Sequence, residues 1–436
     1  MDVLKKKVLG NDVLRVLGIR SFLFMMLSEF FSQLAFNMQH FVLIFIIFGL
    51  THSNTAVSGM ILSFIVPSVL LSVIAGVYVD RWNKKKVLLS GHLIRAALLL
   101  PFLIPNLNLG FIYTFTFLIA VVTQFFNPAE ASIIPSLVPK NLIVSANAVF
   151  AFSVYTSMLL GYVFSGPVLL LFGRTYSIVF LISLFILSAL FVTGINYVVN
   201  KEKLRSRNLS SAYNLSVFRE AKEIFTFIRR VSKVMFALLM ITVAQSVIFM
   251  FAVLAPGYVT TILQAPLESL SVILVAPAGL GLAIGAFMLG SIGKKINNRL
   301  ISSVGFIIVG TVFVLMPMAG KVASYGFVHT LNSILPHIIH INVLHLIVAL
   351  AFIVGFGISF VFIPSNATIQ IETSEEMRGR MYGLLSSLIG AVSFLPVILA
   401  GGLADILGVG VVITTVGSLM ILLGIFYLSL IRYKSR

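Results

Sequence analysis

"GVYVDRWNKKK", Gly76 to Lys86, ends a long apolar run with one carboxylate and four cations. Asp80 is one of only 13 Asp and Glu among 436 residues, and Arg81, Lys84, Lys85 and Lys86 follow it closely. Basic residues clustered just beyond an apolar segment mark its cytoplasmic end, because Lys and Arg resist translocation. An acid contributes little to that signal. The segment before Asp80 therefore asks for a membrane, and Asp80 itself asks for a separate reason.

Composition supplies the membrane. Hydrophobic residues make up 59% of the chain and charged residues 10%, with a mean hydropathy of +1.10. A soluble domain carries roughly 25% charged residues. The formal charge of +17 would suit nucleic acid only if the cations shared one soluble face. Here they punctuate apolar segments, so nucleic acid is not an expected partner. The absence of Cys excludes disulfides, thiolate metal sites and Cys nucleophiles. The N-terminal stretch "MDVLKKKVLGNDVLRVLGIR" is polar and basic and does not read as a signal peptide.

About 20 apolar residues span a bilayer as a helix. Twelve such segments are predicted: 21–49, 56–79, 87–106, 109–127, 142–172, 175–199, 232–258, 266–292, 300–320, 343–364, 379–403 and 409–432. With the N-terminus inside, 28 of the 30 Lys and Arg fall at cytoplasmic ends, Arg95 among them, and only Arg174 and Lys321 fall outside. That bias predicts a multi-pass cell-membrane protein with both termini cytoplasmic. The longest polar break gives an N-terminal six-helix bundle (1–199), a linker (200–231) and a C-terminal six-helix bundle (232–436). Within the linker, Val217, Phe218, Ala221, Ile224, Phe225 and Ile228 keep helical spacing, as in an amphipathic helix lying on the membrane. A loop at 321–342 holds His329, His337 and His340 without a carboxylate, which reads as a surface loop rather than a metal site.

The halves repeat. "PSVLLSVIAGVYVDRWNKKK" from Pro67 aligns without gaps on "PAGLGLAIGAFMLGSIGKKI" from Pro277, so Lys84-Lys85 match Lys294-Lys295 while Asp80 faces Gly290. A second echo sets Pro128 and "ASII" against Pro364 and "ATIQ". Weak repeats of this kind characterise transporter halves that hold a substrate site near the bilayer midplane.

With the loop signature, Gly76, three residues, Asp80-Arg81, two residues, Lys84-Lys85, the chain resembles the major facilitator superfamily. It is similar in particular to the branch of macrolide-efflux and enterobactin-exporter-like proteins. "SQLAFNMQHFVLIFIIFGLTHS" (32–53) resembles that branch's first helix, "NPAEASIIPSLVPKNLIVSANAV" (127–149) its loop 4–5, and "IETSEEMRGRMYGLLSSLIGAVSFLPVILAGGLAD" (371–405) its eleventh helix. The resemblance implies an all-α fold of two pseudo-symmetric six-helix bundles. It also implies that Asp80 faces the start of helix 11 near Arg378 and Arg380, where free N–H groups and the helix dipole favour an anion. Lys84 or Lys85 would reach Glu130 at the end of helix 4. Together these form a latch between the halves. The chain departs from the branch at Ala35-Phe36, where Gly-Asp is usual. The segment 109–127 lacks the Arg common in drug–proton antiporters, and Val168 to Leu171 follow Gly166-Pro167 in place of a second glycine pair.

The candidate cavity comes from the residues themselves. Glu29, Gln33, Asn37 and His40 recur at spacings of 4, 4 and 3, within an arc of roughly 80° on a helix. Polar groups in hydrocarbon are costly, so this stripe faces either a wet cavity or neighbouring helices that it binds as glue. Glu29 is the carboxylate well inside a span, about 9 Å to the cytoplasmic side of its middle, and by elimination the candidate proton carrier. Gln124, Gln245, Asn366 and Gln370 are further cavity candidates. Gly166, Pro167 and Pro396 are candidate bends, and Gly281 with Gly285 a small-residue packing face.

The sequence offers no phosphate loop, no metalloprotease motif and no nucleophile elbow. No cofactor, no metal and no enzymatic activity are expected. The 38 Phe and 15 Met favour an amphipathic or lipophilic small-molecule cargo. The reading is a monomeric secondary transporter in the lipid bilayer, exporting such a compound by proton antiport. The alternatives are a lipid or lysolipid flippase of the same fold and a proton-coupled importer.

Overall fold

A computed structural model describes residues 12–79, 82–105, 107–197, 231–292, 297–322, 343–373 and 375–434. Its long elements are α1 (Arg20–Thr51), α2 (Asn54–Val79), α3 (Lys84–Leu99), α4 (Leu109–Leu137), α5 and α6 (143–172 and 174–193), and α7 (Ser232–Gly257). They continue with α8 (Ala276–Ile292), α9 (Asn298–Val322), α10 (Val343–Glu372), α11 (Glu375–Leu407) and α12 (Val409–Lys434). Among the described residues there are no strands. Eleven helical stretches are long and apolar enough to cross a membrane. One of them contains Gly173 at φ 67°, ψ 179°, a conformation that side chains disfavour, and it divides there into α5 and α6. The predicted break at 173–174 is thus a glycine turn.

Polar residues set the helix starts. The Asn83 side chain accepts the Lys86 N–H at 3.2 Å to begin α3, and Asn108 accepts the Phe111 N–H at 2.7 Å to begin α4. Two helices run past their predicted ends. α4 continues through Pro128 and Pro135 to Leu137, and α10 through Pro364 to Glu372. Proline is tolerated in membrane helices because neighbours re-satisfy the freed backbone groups. The segment 127–137, expected from resemblance to be loop, is therefore helix.

By contacts the chain divides into two compact units. Met1–Ile46 and Ser63–Ser210 form the first; Ile47–Leu62 and Ser211–Arg436 form the second. The end of α1 and the start of α2 thus belong with the second unit rather than with a clean 1–199 bundle. The first unit has a core around Phe22, Met25, Leu88, Phe126 and Val192. In the second, Val234, Leu238, Ile241, Ile369 and Met381 pack together. There, too, α8 and α10 touch backbone to backbone. A Cβ on Gly281 would lie 1.9 Å from the Phe352 carbonyl oxygen, and one on Gly355 1.7 Å from that of Ala278. Gly285 packs instead against the Ser359 side chain. The small-residue face expected of Gly281 and Gly285 is real packing. Pro167, next to Gly166, and Pro396 lie inside helical segments. The linker at 200–230, with its expected amphipathic helix, and the loop with His329, His337 and His340 lie outside the described residues.

Candidate functional site

The first unit buries charge. Glu29 of α1 is 1% exposed and Arg95 of α3 is 2% exposed. Neither Glu29 oxygen has a hydrogen bond of good geometry, and Gln33, one turn further along α1, is the polar side chain near enough to interact with it. Arg95 is the opposite charge that interacts with it electrostatically. The guanidinium lies 4.1 Å from the Phe126 ring centre, with Phe36 and Phe185 at 5.8 and 5.9 Å. One polar contact goes to Ser32, whose Oγ accepts from Nη1 at 3.4 Å, and Nε has none. His92, one turn before Arg95, is fully buried against Phe126 and shares a 3.1 Å hydrogen bond with Ser28. The result is a cluster of α1 and α3 in which an aromatic cage substitutes for much of the hydration of one cation.

Arg95 corrects the topology count. It lies eleven residues beyond Lys84, about 16 Å along a helix, and is a buried functional candidate rather than a cytoplasmic charge. That leaves 27 of the Lys and Arg at predicted cytoplasmic ends instead of 28. Its depth in the segment was the signal that counting charges by segment end overlooked. Arg174, one of the two outward exceptions, donates to the carbonyls of Phe102, Ile104 and Pro105 at 3.0, 2.7 and 3.2 Å. It caps the chain end after α3.

The rest of the α1 stripe divides. Asn37 is buried, and its Nδ2 donates to the Gln33 carbonyl at 2.7 Å and to Gln33 Oε1 at 3.5 Å. His40 stacks on Phe64 at 3.9 Å and meets Phe36 edge-on at 4.5 Å, with Nε2 unpartnered. Phe36, standing where the branch usually has an acid, thus touches both His40 and Arg95. Gln124 on α4 bonds weakly to its own helix at Ala120, 3.5 Å. In the second unit Gln245 is half-buried on α7. Asn366 and Gln370 of α10 meet Tyr382 of α11, whose hydroxyl donates to Asn366 Oδ1 and accepts from Gln370 Nε2, both at 3.2 Å. Tyr382 was not anticipated, and nothing in its local sequence marks it.

The latch changes in detail. Asp80 and Arg81 lie outside the described residues, as do the side chains of Arg378 and Arg380 in the first turns of α11. Gly76 lies on α2. Lys85 does not reach Glu130. Its Nζ donates to the carbonyls of Thr193 and Ile195 at 2.8 and 2.7 Å, at the end of α6. Glu130 is not at a helix end, as expected, but inside α4, 5% exposed, with Oε1 unpartnered.

A different carboxylate makes a complete contact. Asp405 near the end of α11 accepts from the Asn54 N–H at 2.8 Å and the Asn54 side chain at 2.9 Å. Its other oxygen accepts from the Ser53 hydroxyl at 2.6 Å, the Thr55 N–H at 3.0 Å and the Thr55 hydroxyl at 2.7 Å. Ser53 Oγ takes the Ala56 N–H at 3.2 Å. The first orphan N–H groups of α2 are thereby satisfied, two of them by a residue some 350 positions away in sequence. Gly401, one turn earlier, lets α2 approach: a Cβ there would lie 2.2 Å from Ser58 Oγ. This junction explains why Ile47–Leu62 belongs with the second unit. Among the described residues no cluster of metal-ligating side chains occurs.

Eleven stretches long and apolar enough to cross a membrane, with polar residues set deep within them, suit a membrane carrier. Residues 25–335 match the Major Facilitator Superfamily, and the chain belongs to that family of membrane transporters. It is similar to YfmI of Bacillus subtilis (strain 168), described as an uncharacterized MFS-type transporter, at 22% identity over 96% of this chain and 98% of that one. It is also similar to Macrolide efflux protein A of Streptococcus pyogenes, at 24% identity over 87% and 89%. Among solved structures, a POT family transporter in complex with a thioalcohol-conjugated peptide superposes with a TM-score of 0.70 at 13% identity, covering 96% of this chain and 97% of that one. The nucleoside transporter NupG superposes at 0.69 and 13%, covering 94% and 99%. These two likenesses establish the fold, an all-α major facilitator architecture.

Proposed function

We propose that this transporter exports a small amphipathic or lipophilic compound in exchange for protons, with Glu29 as the proton-carrying group. The observation that carries the reading is a carboxylate 1% exposed in the first span, with Gln33 as its one nearby polar side chain on α1 and an opposite charge, Arg95, on α3. A buried acid with few partners is costly when charged and inexpensive when neutral. It therefore takes and releases a proton as its surroundings open and close. Arg95 sets how readily the charged form is tolerated. Similarity to a macrolide efflux protein and the abundance of Phe and Met support the cargo class.

The proposal includes the orientation, both termini cytoplasmic, and a latch in which Asp80, with Gly76, Arg81, Lys84, Arg378 and Arg380 around it, holds the cytoplasmic ends together. Gln33, Asn37, His40, Gln124, Gln245, Asn366 and Gln370 remain candidate cargo contacts, and Gly166, Pro167 and Pro396 candidate bends. The carrier works as a monomer in a cell membrane. The test is transport of a panel of dyes, macrolides and labelled lysolipids into inverted proteoliposomes, with and without an imposed pH gradient. Accumulation of a dye or macrolide only with the gradient is the expected result. Gradient-independent movement of lysolipid alone would replace export by lipid flipping. Cargo uptake with the opposite gradient dependence would make the protein an importer.

A further inference from the structure

A cavity of about 510 Å³ opens at one end of the second unit, where α7 and α9 begin and α10 ends. Ser232, Lys233, Arg299, Ser302, Ser365 and Glu372 lie in its polar lining, along with Asn297, Asn298 and Thr368. Lys233 and Glu372 neutralise each other at 2.7 Å. Among the described residues Arg299 has no carboxylate within 4 Å. Its guanidinium is held in place by a 3.1 Å bond to Ser232 Oγ and lies 5.4 Å from the Phe236 ring centre. The hydroxyls of Ser302 and Ser365, 1% and 2% exposed, have no partner at all. The N-terminus of α7 has no side-chain cap from Val231, and Ser232 and Lys233 of its first turn line the cavity.

Unpartnered buried hydroxyls cost free energy, and a preorganised guanidinium beside them is the geometry that binds phosphate oxygens. We infer that this cavity binds a phosphate group carrying net negative charge, with Arg299 as its counter-charge and Ser302 and Ser365 as hydroxyl donors. The neutralised Lys233–Glu372 pair forms its rim and Phe236 its apolar wall. Two sources share that chemistry: the headgroup of an anionic lipid and a free phosphate. The inference does not depend on the direction of transport or on Glu29.

The experiment uses the full-length protein in mild detergent. Native mass spectrometry counts retained phosphatidylglycerol against phosphatidylcholine, and thermal unfolding is followed with and without inorganic phosphate. The variants are Arg299→Gln and the double substitution Ser302→Ala, Ser365→Ala, the second keeping the helices intact if the first fails to fold. A lipid source predicts preferential retention of one phosphatidylglycerol, weakened about tenfold or more in the hydroxyl-free double variant. A soluble source predicts that inorganic phosphate raises the melting temperature of the wild type but not of that variant. If neither phosphatidylglycerol nor phosphate binds preferentially, or if both variants bind as the wild type does, the cavity is no phosphate site.

Discussion

The two units use their few acids in opposite ways. In the first, exposed Asp12 pairs with Arg15 at 3.0 Å, but Glu29 and Glu130 sit inside helices, nearly inaccessible, with one Glu130 oxygen unpartnered and both Glu29 oxygens poorly bonded. In the second, Asp405 and Glu372 sit near helix ends and are engaged: Asp405 accepts five hydrogen bonds, and Glu372 pairs with Lys233. An acid at a helix end neutralises orphan backbone donors and builds the fold. An acid buried with few partners destabilises whichever state leaves it charged. The comparison gives Asp405 a constructive role and makes Glu29 the acid whose chemistry is to be tested.

The largest effect expected lies in the second unit and involves no charge. Gly355→Val would drive a side chain into the Ala278 backbone, well beyond the ~1–3 kcal/mol of an ordinary overpacked core. Fluorescence-detected size exclusion should show no monodisperse protein. A normal peak would mean that α8 and α10 do not pack as described.

Next comes Glu29→Gln, which keeps the shape and removes the titrating proton. Gradient-driven accumulation should vanish while downhill exchange of cargo persists, and the melting temperature should change little, because the amide keeps the shape of the neutral acid. Arg95→Gln should instead lower the melting temperature, since it removes the cation from its cage of Phe36, Phe126 and Phe185 and leaves Glu29 without an opposing charge. Equal stability losses in the two variants would erase the contrast between chemistry and construction. Retained accumulation in Glu29→Gln would move the proton site elsewhere.

Asp405→Asn tests the constructive role. An amide cannot accept all five donors, and losing a charge-assisted cap costs about 1–2 kcal/mol. Because the chain has no Cys, Ser58→Cys gives a clean reporter: Ser58 is 2% exposed and donates to the Val397 carbonyl at 2.9 Å. Maleimide should label that cysteine faster when Asp405→Asn loosens the start of α2. Unchanged labelling and stability would make the five bonds incidental.

Apolar length made the spans legible, and the wide spacing of basic clusters made their order legible. Gly281 and Gly285 could be read because small residues four apart in lipid have few other uses. What escaped has a common cause. The partners of Asp405 lie some 350 residues away, and no local pattern encodes them. Charge counting groups Arg95 with surface cations because it assigns residues to segment ends and does not measure depth. α4 ran through Pro128 and Pro135 because packing and bilayer override the breaker role that proline has in water. That continuation turned Glu130 from a surface acid into a buried one.

The smallest predicted effect separates two accounts of the opening stretch. If Lys85 were the partner of Glu130, Lys85→Met would strand a buried carboxylate and impair transport severely. The geometry gives Lys85 another task. Its ammonium lies 2.8 and 2.7 Å from the Thr193 and Ile195 carbonyls, at the C-terminal end of α6. A cation there satisfies orphan acceptors and meets the negative end of the helix dipole, worth about 0.3–1 kcal/mol. Lys85→Met should therefore lower the melting temperature slightly and leave the transport rate and its pH dependence as in the wild type. A sharp loss of transport at unchanged stability would return Lys85 to the acid, and Glu130 would then belong with the engaged carboxylates of the second unit rather than beside Glu29.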